Sequence, residues 1–157
     1  MQEYLILILI QIYFMNITFK RIEKKQSKKD IKTLYDLLSK RNYSISHEIM
    51  PDFERHKKFV KSNPYRAWYI IYFKEKAVGS FYLSNDNSIG INIEDHQDIE
   101  CLKEILIFVK NNHSPLKPIK SKRAAKFHIH ISPKNSFLKS TLEKLSKKLI
   151  QITYLID

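Results

Sequence analysis

AWYIIYFKEKAVGSFYLSNDNSIGINIE, residues 67–94, holds three strand-like runs divided by two polar turns. Ala67–Phe73, Ala77–Ser84 and Ile89–Glu94 are rich in β-branched and aromatic residues, and Lys74-Glu75-Lys76 and Asn85-Asp86-Asn87-Ser88 separate them. Connections this short join antiparallel neighbours, so the stretch predicts a three-stranded meander. Trp68 and Tyr69 are adjacent in the first run; successive strand residues face opposite ways, which places at least one of them in a core.

Upstream, Asn63-Pro64 closes a helix that Asp52 opens, with Phe53, His56, Phe59 and Val60 on one face. Ser44–Pro51 reads as a loop. Before it, Ser27 stands three residues ahead of Asp30, a capping arrangement, and Ile31, Leu34, Tyr35 and Leu38 follow at helical spacing. Ile17–Ile22 reads as the first strand. Downstream, Ile99, Leu102, Ile105, Leu106 and Val109 form a helical stripe, and a basic, proline-containing loop spans Asn111–Lys126. Phe127, Ile129 and Ile131 alternate with His128 and His130, the pattern of a half-buried strand. Leu138, Leu142, Leu145 and Leu149 predict a last helix and Ile150–Ile156 a last strand. The order is strand, two helices, three strands, helix, strand, helix, strand. It predicts one α/β (α+β) domain, a central mixed, mostly antiparallel sheet with helices on both faces.

At 157 residues the chain suits one core, and 43% hydrophobic with 12% aromatic residues is enough apolar surface for it to fold. The excess of 28 Lys+Arg over 16 Asp+Glu gives a net charge of +12, attractive to phosphates, nucleic acid or an anionic surface. Lys, Ile and Asn are abundant together, and all have A/T-rich codons, which offers nucleotide composition as an alternative source of part of this charge. Solvated lysines are the plainer reading of the loop Lys117, Lys120, Lys122, Arg123 and Lys126, and nucleic acid is not the expected partner. The lone Cys101 forms no internal disulfide and fits a reducing cytoplasm. Tyr4–Met15 is apolar but shorter than the roughly 20 residues of a membrane span. It lacks the flanks of a signal peptide, since Gln2 and Glu3 precede it. Residues 1–15 are thus expected to be an apolar extension or to follow from an upstream start, with the domain at 16–157 and weak membrane attachment as the alternative.

Several segments carry a resemblance. Ile45-Ser46-His47, Met50-Pro51, Phe59-Val60 and Pro64-Tyr65-Arg66-Ala67-Trp68-Tyr69 resemble small bacterial GNAT acyltransferases, as does Ile89-Gly90-Ile91-Asn92-Ile93 their fourth strand. Ile131-Ser132-Pro133-Lys134-Asn135, then Leu142-Glu143-Lys144-Leu145 and Lys148-Leu149-Ile150, resemble their fifth strand, last helix and final strand. The resemblance implies a GNAT fold and acetyl transfer from acetyl-CoA to an amine of a small molecule, an amino sugar being one candidate. It implies backbone amides near Ile91 and Ile93 that polarise the thioester carbonyl, with Gln97 and Asn135 also on the cofactor. Glu94 would be the base, and His47, Tyr65, Arg66, Trp68 and Tyr82 would surround the substrate. A homodimer is compatible with it.

The departures cluster on the cofactor side. The family's Gln/Arg-x-x-Gly-x-Gly/Ala loop binds pyrophosphate through backbone amides at a helix N-terminus. The matching stretch is Gln97-Asp98-Ile99-Glu100-Cys101-Leu102, which keeps the glutamine, lacks both glycines and adds two carboxylates. Leu142 stands where an aromatic general acid is often found, and Ser146 where glycine is usual. A GNAT-like binding protein without catalysis is therefore the second expectation. His128 and His130 share a strand face and could bind a metal with a third ligand, but none is identifiable from sequence and no metal is predicted.

Overall fold

The computed structural model describes residues 16–44, 49–94, 99–154 and 156. Strand β1 (Ile17–Arg21) leads to helices α1 (Lys28–Ser39) and α2 (Phe53–Ser62). The meander β2 (Ala67–Phe73), β3 (Lys76–Leu83) and β4 (Ser88–Ile93) follows, then α3 (Ile99–Asn112), β5 (His128–Ile129) and α4 (Ser136–Lys144). The sheet order is β1-β2-β3-β4-β5, antiparallel up to β4, while β5 lies parallel to β4.

Both expected helix caps form. The Ser27 hydroxyl accepts from the Asp30 amide at 3.0 Å, and the Asp52 carboxylate from the Arg55 amide at 2.8 Å. The apolar faces then pack on opposite sides of the sheet. Ala67, Tyr69 and Ile71 of β2 join Phe81 and Leu83 against Cys101, Ile105 and Val109 of α3. Trp68 and Ile70, pointing the other way, join Ile31, Leu34 and Leu37 of α1 and Val60 of α2. Trp68 and Tyr69 are therefore both core residues. Ile71 pairs with Gly79 and Tyr72 with Ala77, which leaves Val78 as a bulge. The shift of register puts Val78 on the same face as Phe81, three positions on.

Two expectations at the C-terminal end need correction. Helix α4 stops at Lys144, because Ser146 adopts a left-handed φ of 55°. The Ser146 amide donates to the Glu143 carbonyl and the Lys147 amide to the Leu142 carbonyl, a Schellman ending that directs the chain off the helix axis. Leu149 is consequently 70% exposed rather than on a helical face. The expected last strand does not form among the described residues: 150–154 and 156 are irregular and exposed. Alternation alone did not provide a neighbouring strand to pair with. Strand β5 is also shorter than the alternating run, with only His128 and Ile129 paired. The apolar run ending at Met15 lies outside the described residues, and no described helix is long and apolar enough to cross a membrane.

His56 is buried between α1 and α2, and its Nε2 has no hydrogen-bond partner among the described residues. Burial holds its imidazole below the ordinary range, more than a backbone hydrogen bond with Ile31 restores. His113, whose Nε2 lies 2.9 Å from the Tyr69 hydroxyl, is lowered by burial and by the charges of Arg66 and Arg21. A base depressed in the folded state takes up its proton more readily when unfolded. Its contribution is therefore intact above the unfolded value of about 6.5 and is lost as pH falls through that value toward the depressed one. Thermal unfolding should accordingly show a lower Tm at about pH 5.5 than at about pH 7.5. His56→Leu should shrink that difference; an unchanged difference would exclude His56 as a source.

Candidate active site

Strands β4 and β5 pair only at Ser88 with His128 and at Ile89 with Ile129, and beyond Ile89 they part. The Glu94 amide donates to the Val78 carbonyl, and the Ser88 carbonyl accepts from the Ser84 amide, so even-numbered residues of β4 direct their backbone groups toward β3. Strand alternation then turns the backbone groups of Ile91 and Ile93 the other way, toward the gap that β5 leaves. The gap opens into a shallow cleft of about 40 Å³, continuous with solvent, between the end of β4, the start of α4 and the chain leaving α1.

Glu94 sits at the mouth of this cleft. Its side chain is 24% exposed, and Oε1 lies 3.6 Å from Lys40 Nζ. Asn92 Nδ2 donates to the Leu37 carbonyl at 3.4 Å, which ties the end of α1 to β4. Lys40, Arg41 and Tyr43 thus line the cleft alongside Ile91, Ile93 and Asn135. Sequence reading had not assigned these α1-end residues; the basic pair just past a helix terminus was the available signal. Asn135 uses its Oδ1 to cap α4, accepting from the Leu138 amide at 2.9 Å.

An aromatic group lies apart from the cleft lining and is linked to it through Arg41. Tyr65 stacks on Tyr82 with ring centroids 3.7 Å apart, and Trp68 meets Tyr65 edge-on at 5.0 Å. Burial and the neighbouring Tyr82 phenol raise the Tyr65 hydroxyl well above its ordinary range, partly offset by the charge of Arg41. Arg66 is elsewhere: its Nη2 donates to the Ser114 carbonyl at 2.6 Å, where it pins the chain after α3. The structure therefore brings Ile91, Ile93, Glu94 and Asn135 together, sets Tyr65, Trp68 and Tyr82 in a second group, and separates Arg66 from both. His47 and Gln97 lie outside the described residues.

The start of α3 departs from a phosphate-binding turn in a definite way. Glu100 is in the first helical turn and pairs with Lys103 Nζ at 2.6 Å. Cys101 and Leu102 are fully buried. Leu102, expected from the resemblance in a cofactor loop, is instead a core residue of α3. The only two glycines of the chain are in the sheet. A Cβ on Gly79 would come within 2.5 Å of the Asn92 carbonyl oxygen, and one on Gly90 within 2.0 Å of the Tyr82 ring.

No protein-family model matches the chain, and no curated protein matches it. Solved structures do. A possible acetyltransferase from Clostridium difficile 630 superposes with a TM-score of 0.55 at 14% identity, over 90% of this chain and 97% of that one. The N-acetyltransferase PseH of Campylobacter jejuni gives 0.56 at 12% identity, over 88% and 92%. The aminoglycoside N-acetyltransferase AAC(6')-Iy, in complex with CoA, gives 0.56 at 10% identity, over 90% and 93%.

Gly90 connects sheet to site, because the Tyr82 ring that lies over it also supports Tyr65. Gly90→Ala should destabilise the protein by about 1–3 kcal/mol, as overpacking does. In a Tyr82→Ala background the same change should cost much less, which a double-mutant cycle from denaturant unfolding will measure. Equal costs in both backgrounds would place the strain elsewhere.

Proposed function

Because the chain has the GNAT acetyltransferase fold, we propose that it transfers the acetyl group of acetyl-CoA to an amine of a small molecule, of the amino-sugar class. The observation that carries this reading is the parting of β4 from β5, which leaves the Ile91 and Ile93 backbone groups facing a cleft with Glu94 at its mouth. A neighbour solved with CoA supports acetyl-CoA as the donor.

The cofactor fits in one half and not in the other. A thioester arm lying beside β4 can accept hydrogen bonds from the free strand edge, as an added strand would. The diphosphate finds no glycine turn, and Glu100 presents a carboxylate that Lys103 only partly neutralises. No step is therefore assigned to the start of α3. In the cleft, the amine gives up a proton to the Glu94 carboxylate, its nitrogen bonds to the acetyl carbon, and the carbon–sulfur bond breaks to release a thiolate. The Ile91 and Ile93 amides stabilise the oxygen that gains charge on the way. Leu142 supplies no proton, so the thiolate is protonated from solvent. Tyr65 and Tyr82, both partly exposed, would face the acceptor, with Arg41 near the Tyr65 phenol and Trp68 packed behind them in the core.

The start of α3 favours a second reading, a protein that keeps the cleft to bind another ligand without transfer. One titration separates the two. Calorimetry should show saturable binding of acetyl-CoA, and Glu94→Gln should lower kcat for an amino-sugar acceptor by about 100-fold or more while leaving acetyl-CoA affinity unchanged. Absence of heat and of competition at millimolar CoA would refute the transferase. Glu100→Gln should tighten CoA binding by removing a carboxylate near the diphosphate. Leu102→Gly is unsuitable for this purpose, since a core cavity of that size costs about 2–5 kcal/mol.

A further inference from the structure

His128 and His130 stand two apart at β5, and the fold supplies what the sequence alone could not, a third donor. Asp86, in the turn between β3 and β4, brings a carboxylate oxygen to the two imidazoles, and the three potential ligand atoms all lie within 4.8 Å of one another. The rings sit with centroids 4.9 Å apart and planes at 83°. Edge-to-face imidazoles beside one carboxylate form a nitrogen and oxygen donor set of the kind that binds first-row divalent cations.

The placement of Asp86 is built rather than incidental. Asp86 Oδ1 accepts from the Ser88 amide at 2.8 Å, which orients the carboxylate within its turn. Asn87, fully buried, donates from Nδ2 to the carbonyls of Leu116 and Ala124 and accepts at Oδ1 from the Leu116 amide. Arg123 Nη1 donates to the Asn85 carbonyl at 2.7 Å, and the His128 amide to the Asn87 carbonyl. The turn that carries Asp86 and the segment that leads into β5 are therefore one hydrogen-bonded unit, and Ser88 pairs directly with His128. Preorganisation of this kind lowers the cost of gathering ligands.

We propose that Asp86, His128 and His130 form a divalent transition-metal site, of the zinc class, that clasps the β3–β4 turn to β5. Metal–ligand bonds of 2.0–2.2 Å at tetrahedral angles place donors about 3.4 Å apart, so side-chain rotations from the present separations suffice. Three protein ligands leave a fourth position for water or an external donor. The site lies at the start of β4, whereas the cleft is at its end, about 20 Å along the strand at 3.3 Å per residue. It is thus independent of the acyl-transfer reading.

The test uses full-length, tag-free protein freed of metal with a chelator and titrated with Zn²⁺ against a chromophoric competitor. One equivalent should bind and raise Tm, since a cation that binds only the folded state stabilises it. His128→Ala and His130→Ala should each weaken binding by at least about tenfold and abolish the Tm rise. Asp86→Asn retains an oxygen for the Ser88 amide and so preserves the turn, yet it should also weaken binding by about tenfold. Circular dichroism of the metal-free variants confirms that each is folded; should an alanine variant unfold, Asp86→Asn carries the decision. The double variant His47→Ala/His96→Ala should bind as the parent does. No binding, binding unchanged by all three site substitutions, or binding lost only in the His47/His96 variant would overturn the proposal.

Discussion

The buried amide of Asn87 fixes the relation between the meander and everything that follows α3. Its three hydrogen bonds to Leu116 and Ala124 satisfy backbone groups of an otherwise irregular segment. Buried polar groups without partners are costly, so losing this side chain would strand three of them at once. Because the bonds fix where the chain re-enters the sheet, they set the start of β5 against Ser88 and thus the point at which β4 and β5 diverge. The cleft inherits its shape from a residue that does not line it.

The central sheet was legible because its signals were local. Short polar turns divide apolar runs, and Ser27 and Asp52 cap their helices as their spacing suggests. The burial of both Trp68 and Tyr69 follows from a strand covered on two faces. The end of α4 was illegible for a local reason of another kind: a leucine repeat continued past Ser146, and nothing in periodicity announces a left-handed residue other than glycine or asparagine. Long-range placement was the other blind spot. Arg66 follows Tyr65 directly, yet the two side chains serve different faces, Tyr65 against Tyr82 and Arg66 against Ser114. Asp86 meets His128 across more than forty positions of chain, a proximity that only the topology provides.

The start of α3 shows how core packing shapes a helix terminus. Leu102 packs inside the protein, and Glu100 and Lys103 make an ordinary helical ion pair. It is a conventional helix terminus, stabilised by core packing and by an acidic first turn. The strand edge at Ile91 and Ile93 lies beyond the last pairing of β4 with β5.

Five described residues other than glycine hold left-handed backbones: Asn63, Lys74, Asn87, Ser121 and Ser146. For Lys74, Ser121 and Ser146 the conformation costs of order 1 kcal/mol each relative to glycine. Glycine codons begin with two guanines, whereas those of Lys, Asn and Ile are rich in A and T. A single bias in the genetic text would then raise the protein's charge, starve its turns of the residue they favour and leave few glycines for a phosphate loop. Codon composition would thus surface as strain in the turns, whereas at Gly79 and Gly90 an added Cβ would meet neighbouring atoms at 2.5 Å and 2.0 Å.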